Sequence, residues 1–180
     1  MSSSALELFE RSCQRHRQRP ALWIDGISYS YGQLLDHARA LAALMRHNAD
    51  PVSATLAERS LTAYCAPLAC MIARKIHVPL GNSLPDARLI DILQRTAPGS
   101  VVCDAGGQLR LDALADRLPL PALRIAANQD GDGWAIQAAQ TSCSVQPAVA
   151  PAQHGYGNRC GLPGADADIA YVLFTSGSTG

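Results

Sequence analysis

Apolar residues recur at spacings of three and four through "YGQLLDHARALAALM", where Leu34, Leu35, Ala38, Leu41, Ala42 and Met45 fall on one stripe. A helix that buries one face has this pattern. Ser30 and Gln33 stand at capping-box spacing before it and mark its start. Ser4 and Glu7 repeat the same signal ahead of "SALELFERSCQRHRQ", in which Leu6, Phe9 and Cys13 keep helical register and Pro20 ends the segment. Between the two helices "ALWIDGISYSY" reads as two short β-rich runs joined by Asp25-Gly26, a pair suited to a tight hairpin turn.

Further along, strand and helix patterns alternate. "PVSATLA" predicts a strand. "SLTAYCAPLACMIARK" predicts a helix through Leu61, Tyr64, Cys65, Leu68, Met71 and Ile72, with Pro67 expected to kink or shorten it. "IHVPLG" is a short apolar run closed by Gly81, and Ser83, Pro85 and Asp86 look like the opening of a helix in "PDARLIDILQRTA". "SVVCD" predicts a strand, Asp104 to Gly107 a turn, "LDALADRL" a short helix, and "ALRIAA" another strand. Residues 128–167 break this rhythm: Gly, Pro, Gln and Ala dominate without a sustained period. They read as a long irregular connection with one short strand around Trp134 to Ile136. The unbroken run "IAYVLF" over residues 169–174 then predicts a buried strand. The alternation implies an α/β fold with a layered, largely parallel sheet flanked by helices, preceded by an N-terminal β-hairpin. No composition shift divides residues 1–180 into two independent domains.

Composition narrows the class. Hydrophobic residues make up 48% and charged residues 17% of the 180 positions, enough apolar material for a packed core. Lys+Arg and Asp+Glu balance at 15 each, so net charge supplies no attraction to nucleic acid or to an anionic membrane. Arg11, Arg15, Arg17 and Arg19 form a basic run beside Glu7 and Glu10 that reads as a solvated face. "MSSSALELFERS" lacks the basic and apolar regions of a secretory signal, and no stretch approaches a membrane span. A cytoplasmic chain without membrane contact is expected. Its six cysteines include no Cys-x-x-Cys pair and read as reduced, mostly buried thiols. His154 and Cys160 share a polar loop, but two such residues without a second pair do not make a metal site.

The chemistry concentrates at residues 175–180. Behind the 169–174 run stand Thr175, Ser176, Gly177, Ser178, Thr179 and Gly180. Glycines let backbone approach a ligand closely, and consecutive N–H groups and hydroxyls converge on anionic oxygens. Phosphate is the natural guest. The stretch is neither a Walker A loop nor Gly-x-Gly-x-x-Gly, and Ser178 does not stand in a hydrolase elbow. Taken alone it reads first as an ordinary Ser/Gly turn after a strand.

The wider sequence gives the loop a context. "DIAYVLFTSGSTG" resembles the phosphate-loop signature of adenylate-forming enzymes, the superfamily of acyl-CoA synthetases, luciferases and nonribosomal peptide synthetase adenylation domains. "LFERSCQRHRQRPAL" resembles that family's opening helix and following strand. Gly26, Ser30, Tyr31, Leu34, Ala38, Leu41 and Ala42 match its hairpin-and-helix pattern, and Val78, Pro79, Leu80, Pro85 and Arg88 match a later block. The four blocks occur in family order and cover nearly the whole chain apart from 128–167. Two departures stand out: Arg74-Lys75 occupies the place of the family's Gly-Ala, and Gly81 that of its usual Asp. Ser178, where acyl-CoA synthetases more often carry Thr, is closer to the amino-acid-activating members.

The resemblance implies a carboxylate attacking the α-phosphate of ATP, with Mg2+ spreading the phosphate charge, to give an acyl-adenylate and pyrophosphate. The acyl group then passes to a carrier protein's phosphopantetheine or to coenzyme A. Thr175 to Gly180 would wrap the β- and γ-phosphates and position the leaving pyrophosphate. The family continues with Pro-Lys beyond the loop, and its adenine contacts, magnesium-binding acid, substrate pocket and mobile-domain lysine come later still. The chain is therefore expected to be an incomplete N-terminal subdomain, inactive alone, dependent on a C-terminal remainder and prone to self-association through an exposed strand edge. Two other readings remain open: a non-catalytic short form acting as an interaction module, and an unrelated nucleotide-binding protein. The missing Walker lysine weighs against the second. His77 and the 171–174 aromatics are read as packed residues, and Arg88 as one half of an ion pair.

Overall fold

The computed structural model describes residues 4–118, 123–128, 133–137 and 170–174. Helix α1 (Ala5–Arg15) opens on a capping box in which Ser4 Oγ accepts from Glu7 N and the Glu7 carboxylate accepts from Ser4 N. The hairpin strands β1 (Pro20–Ile24) and β2 (Ile27–Ser30) pair antiparallel as a two-stranded sheet of their own. Asp25 and Gly26 turn between them at φ 49° and 83°, the left-handed values that Asp-Gly tolerates. Helix α2 (Tyr31–Met45) starts on the second capping box, with Ser30 Oγ accepting from Gln33 N at 3.2 Å and Gln33 Oε1 accepting from Ser30 N at 2.9 Å. All six residues of its predicted stripe are buried.

The second sheet has five strands in the order β4-β3-β5-β6-β7. They are β3 (Val52–Leu56), β4 (Ile76–Leu80), β5 (Ser100–Cys103), β6 (Leu123–Ala127) and β7 (Trp134–Gln137). The first four pair in parallel, and β7 closes one edge antiparallel to β6. Residues 170–172 add to the opposite edge: His77 N donates to Ala170 O at 3.0 Å, Val172 N donates to His77 O at 2.9 Å, and His77 and Tyr171 form a parallel bridge. The expected strand at the end of the chain is thus a short parallel addition beside β4, and residue 169 lies outside the described residues.

Helices cover both faces of this sheet. Helix α3 (Leu61–Ala73) packs on α2, and together they bury Leu41, Ala42, Met45, Cys65, Ala66, Ala69 and Cys70 against Val102, Leu123 and Ile125. Small side chains along α3 let the two helices approach closely. Pro67 neither ends nor shortens α3; burial of its neighbours outweighs the backbone hydrogen bond that proline removes. On the other face α4 (Asp86–Thr96) and α5 (Ala105–Ala113) bury Leu89, Ile92, Leu93 and Leu111 against Val52, Ala54, Leu56, Val78 and Val101. Helix α4 begins after Pro85 without a side-chain cap. The stretch expected to be a turn, Asp104 to Gly107, is instead the start of α5: Asp104 is the N-cap, and Gly107 N donates to its carboxylate at 2.8 Å. A 3-10 turn (Ala115–Arg117) follows α5. Among the described residues no helix is long and apolar enough to cross a membrane.

Candidate functional site

The candidate site begins where the edge strand ends. A single parallel bridge sets Tyr171 opposite His77 of β4, and the chain runs on from it in the direction of β4, toward the carboxyl end of the sheet, the end at which open α/β sheets bind ligands. Thr175, Ser176, Gly177, Ser178, Thr179 and Gly180 follow Phe174 directly in sequence and lie outside the described residues. The donors of the predicted loop are therefore read from the sequence alone.

Among the described residues, the 170–174 segment packs on one face of the sheet. Val172 and Phe174 pack on the core beneath α4, and the guanidinium groups of Arg88 and Arg95 lie 5.7 and 5.6 Å from the centroid of the Phe174 ring. Arg88 also pairs with Asp91 at 3.0 Å, the ion pair expected of it. Tyr171 and Leu173 alternate to the opposite face and are 61% and 60% exposed. Tyr171 was expected in the core with Phe174. The period of two along a strand places the two rings on different faces, and α3 covers only the sheet further in.

His77 faces inward from the neighbouring strand. It is 9% exposed, its Nε2 lies 3.1 Å from Thr55 Oγ1, and burial pushes its pKa down to about 4. A histidine held neutral and enclosed is a packed residue, as expected. The described cysteines are likewise inert: Cys13, Cys65, Cys70 and Cys103 are free and buried. Burial raises the thiol of Cys13, and it raises those of Cys65, Cys70 and Cys103 to about 12. Cys143, His154 and Cys160 lie outside the described residues. Among the described residues no group of three or more His, Cys, Asp or Glu could hold a metal ion.

Around the same end of the sheet, the loops after β3, β4 and β5 are tied together. Asp104 reaches Glu58 N and Ser60 Oγ, both at 2.9 Å, and Asn82 Nδ2 at 3.4 Å. Arg110 donates to the carbonyls of Asn82 and Leu84 and pairs with Asp86 at 2.9 Å. Sequence patterns missed this network because its members lie far apart along the chain. The one local signal was Asp104 three residues ahead of Gly107, an N-cap spacing.

The AMP-binding enzyme model matches residues 9–180. The chain belongs to the AMP-binding enzyme family. Surfactin synthase subunit 2 of Bacillus subtilis is 29% identical over 177 residues, covering 97% of this chain and 4% of that protein. Phenyloxazoline synthase MbtB of Mycolicibacterium paratuberculosis is 30% identical over 176 residues, covering 96% of this chain and 13% of that one. The chain thus spans a small part of the length of the curated relatives it matches. Among solved structures, the crystal structure of IdnL7 superposes with a TM-score of 0.59 at 28% identity, over 69% of this chain and 25% of that chain. That of IdnL1 superposes with a TM-score of 0.63 at 21% identity, over 96% and 31%. This member of the family thus shares the layered, parallel-dominated α/β fold of its structural neighbours, and its family match takes in the Thr-Ser-Gly-Ser-Thr-Gly stretch.

Proposed function

We propose that this chain is the N-terminal part of an adenylating unit of nonribosomal peptide synthetase type, in which the carboxylate of an amino acid attacks the α-phosphate of ATP. The products are an aminoacyl-adenylate and pyrophosphate. The observation that carries this reading is the family match through residue 180, which takes in the Thr-Ser-Gly-Ser-Thr-Gly stretch. Residues 1–180 act as one part. Hydroxyls of Thr175, Ser176, Ser178 and Thr179 and the backbone N–H groups of Gly177 and Gly180 hold the β- and γ-phosphates. Their task is to orient the pyrophosphate as it leaves and to stabilise its charge. Mg2+ enters as the companion of ATP, and no step is assigned to it.

Ser178 and the kinship with surfactin synthase subunit 2 support an amino acid as substrate and a carrier protein's thiol as acceptor, over the coenzyme A of an acyl-CoA ligase. The chain corresponds to 25% and 31% of two structural neighbours. That share supports a second part of the proposal: the 180 residues alone do not complete the reaction and depend on the remainder of such a unit.

Amino-acid-dependent exchange of pyrophosphate into ATP tests both parts. A full-length unit carrying this segment is expected to exchange with one amino acid. Ser178→Ala or Thr179→Ala is expected to lower the rate about 10- to 100-fold. The 180-residue chain alone is expected to show no exchange. Robust exchange by that chain overturns its dependence on a remainder, and exchange unaffected by the loop substitutions overturns the phosphate role.

A further inference from the structure

The sheet has a switch point, and one side chain fills it. From β3 the chain enters α3 on one face; from the adjacent strand β5 it enters α5 on the other. Adjacent strands whose connections leave to opposite faces open a crevice between their carboxyl ends, where doubly wound folds commonly bind ligands. Here both helices begin at that crevice. Ser60 caps α3 and Asp104 caps α5, so two helix N-termini, each favouring negative charge, converge on one place.

The Asp104 carboxylate occupies it. One oxygen accepts from Glu58 N and Ser60 Oγ, each at 2.9 Å. The other accepts from Gly107 N at 2.8 Å and from Asn82 Nδ2 at 3.4 Å. Its donors come from the loops after β3, β4 and β5 together. Asp104 is 8% exposed, so solvent supplies little of its solvation. The walls are equally closed: a Cβ on Gly107 would lie 1.9 Å from Leu56 O, at the end of β3.

We propose that Asp104 is an internal anion. Its carboxylate closes the switch-point crevice, takes the place an anionic ligand group commonly occupies in such sheets, and fixes the loops after β3, β4 and β5 in one arrangement. The crevice between β3 and β5 is thereby a sealed joint, and ligands are left to the outer side of β4, where the edge strand ends. The inference concerns this joint alone and stands whether or not residues 175–180 bind ATP.

The test is replacement of the built-in anion by a free one. Asp104→Ala in the 180-residue chain removes the carboxylate and leaves its donors facing a small vacancy, for which formate is the probe. The variant is expected to melt below the wild type. Sodium formate, against sodium chloride at equal ionic strength, is expected to raise its Tm saturably by about 3 °C. Wild type and Asp104→Asn, whose crevices stay filled, are expected to show no such difference. Where Asp104→Ala fails to fold in chloride, its refolding yield in formate against chloride is read instead, and a severalfold gain is expected. Equal behaviour of Asp104→Ala in both salts overturns the proposal, as does a formate effect of the same size in the wild type. A residue needed only for packing would lose stability on truncation without regaining it from a free carboxylate.

Discussion

Arg74 and Lys75, which replace the family's Gly-Ala, gain a physical meaning from the backbone. Arg74 follows α3 at φ 56°, the left-handed region that favours glycine. Arg74→Gly is therefore expected to stabilise the chain by about 1 kcal/mol, visible as a higher urea midpoint at unchanged slope. Ala97, at φ 40° after α4, predicts the same sign for Ala97→Gly. Lys75 turns its charge to structural use. Although it is 6% exposed, its ammonium donates to Asn48 O at 2.8 Å and to Asp50 O, and burial lowers its pKa. His77 predicts a pH dependence. Its folded pKa of about 4 lies below the ordinary histidine value of 6.5, so the unfolded chain takes up a proton first as pH falls. Its contribution is intact above about pH 6.5 and is lost on descent toward pH 4, by roughly 3 kcal/mol. Urea unfolding from pH 7 to pH 4 should show that loss, and His77→Asn should flatten it.

At the scale of elements, the signals within a few residues were legible and the junctions were not. Both capping boxes, the Asp25-Gly26 turn and the α2 stripe rest on neighbours in sequence, and each formed as its pattern implies. Asp104 to Gly107 was misread as a turn because paired glycines weaken a helix, whereas the cap and the close packing of Gly107 under Leu56 O carry α5 through them. Gly107→Ala is accordingly expected to cost several kcal/mol, since backbone rather than a flexible side chain stands in the way; the midpoint of chemical unfolding measures it. Pro67 makes the opposite case. It lies inside α3 without ending it, so Pro67→Ala is expected to stabilise the chain by about 1–3 kcal/mol, read as a rise in Tm.

At the scale of the whole molecule, the two edges of the large sheet differ. At one, β7 pairs antiparallel with β6, and Trp134 ties it to the helices: the indole N–H donates to Thr62 Oγ1 at 3.0 Å and the ring meets His37 edge-on. At the other, the short segment beside β4 leaves Tyr171 and Leu173 exposed, with Pro79 and Tyr64 exposed as well. Exposed apolar side chains on an outer strand favour self-association. The 180-residue chain is expected to scatter as oligomers at high concentration, and Tyr171→Lys with Leu173→Lys to restore a monomer without lowering the Tm. A wild-type monomer at the same concentration overturns this expectation.

The sequence by itself determined the helices, the hairpin, the alternation that makes the sheet parallel, and the order of motifs that marks the family. These depend on periodicity and on residues three or four apart, so one-dimensional order suffices. Tertiary structure decided which edge the 170–174 segment joins, which of its side chains reach the core, and that Asp104 ties the loops after β3 and β5 together. These outcomes depend on contacts between residues dozens of positions apart, brought together only once both helical layers have packed on the sheet.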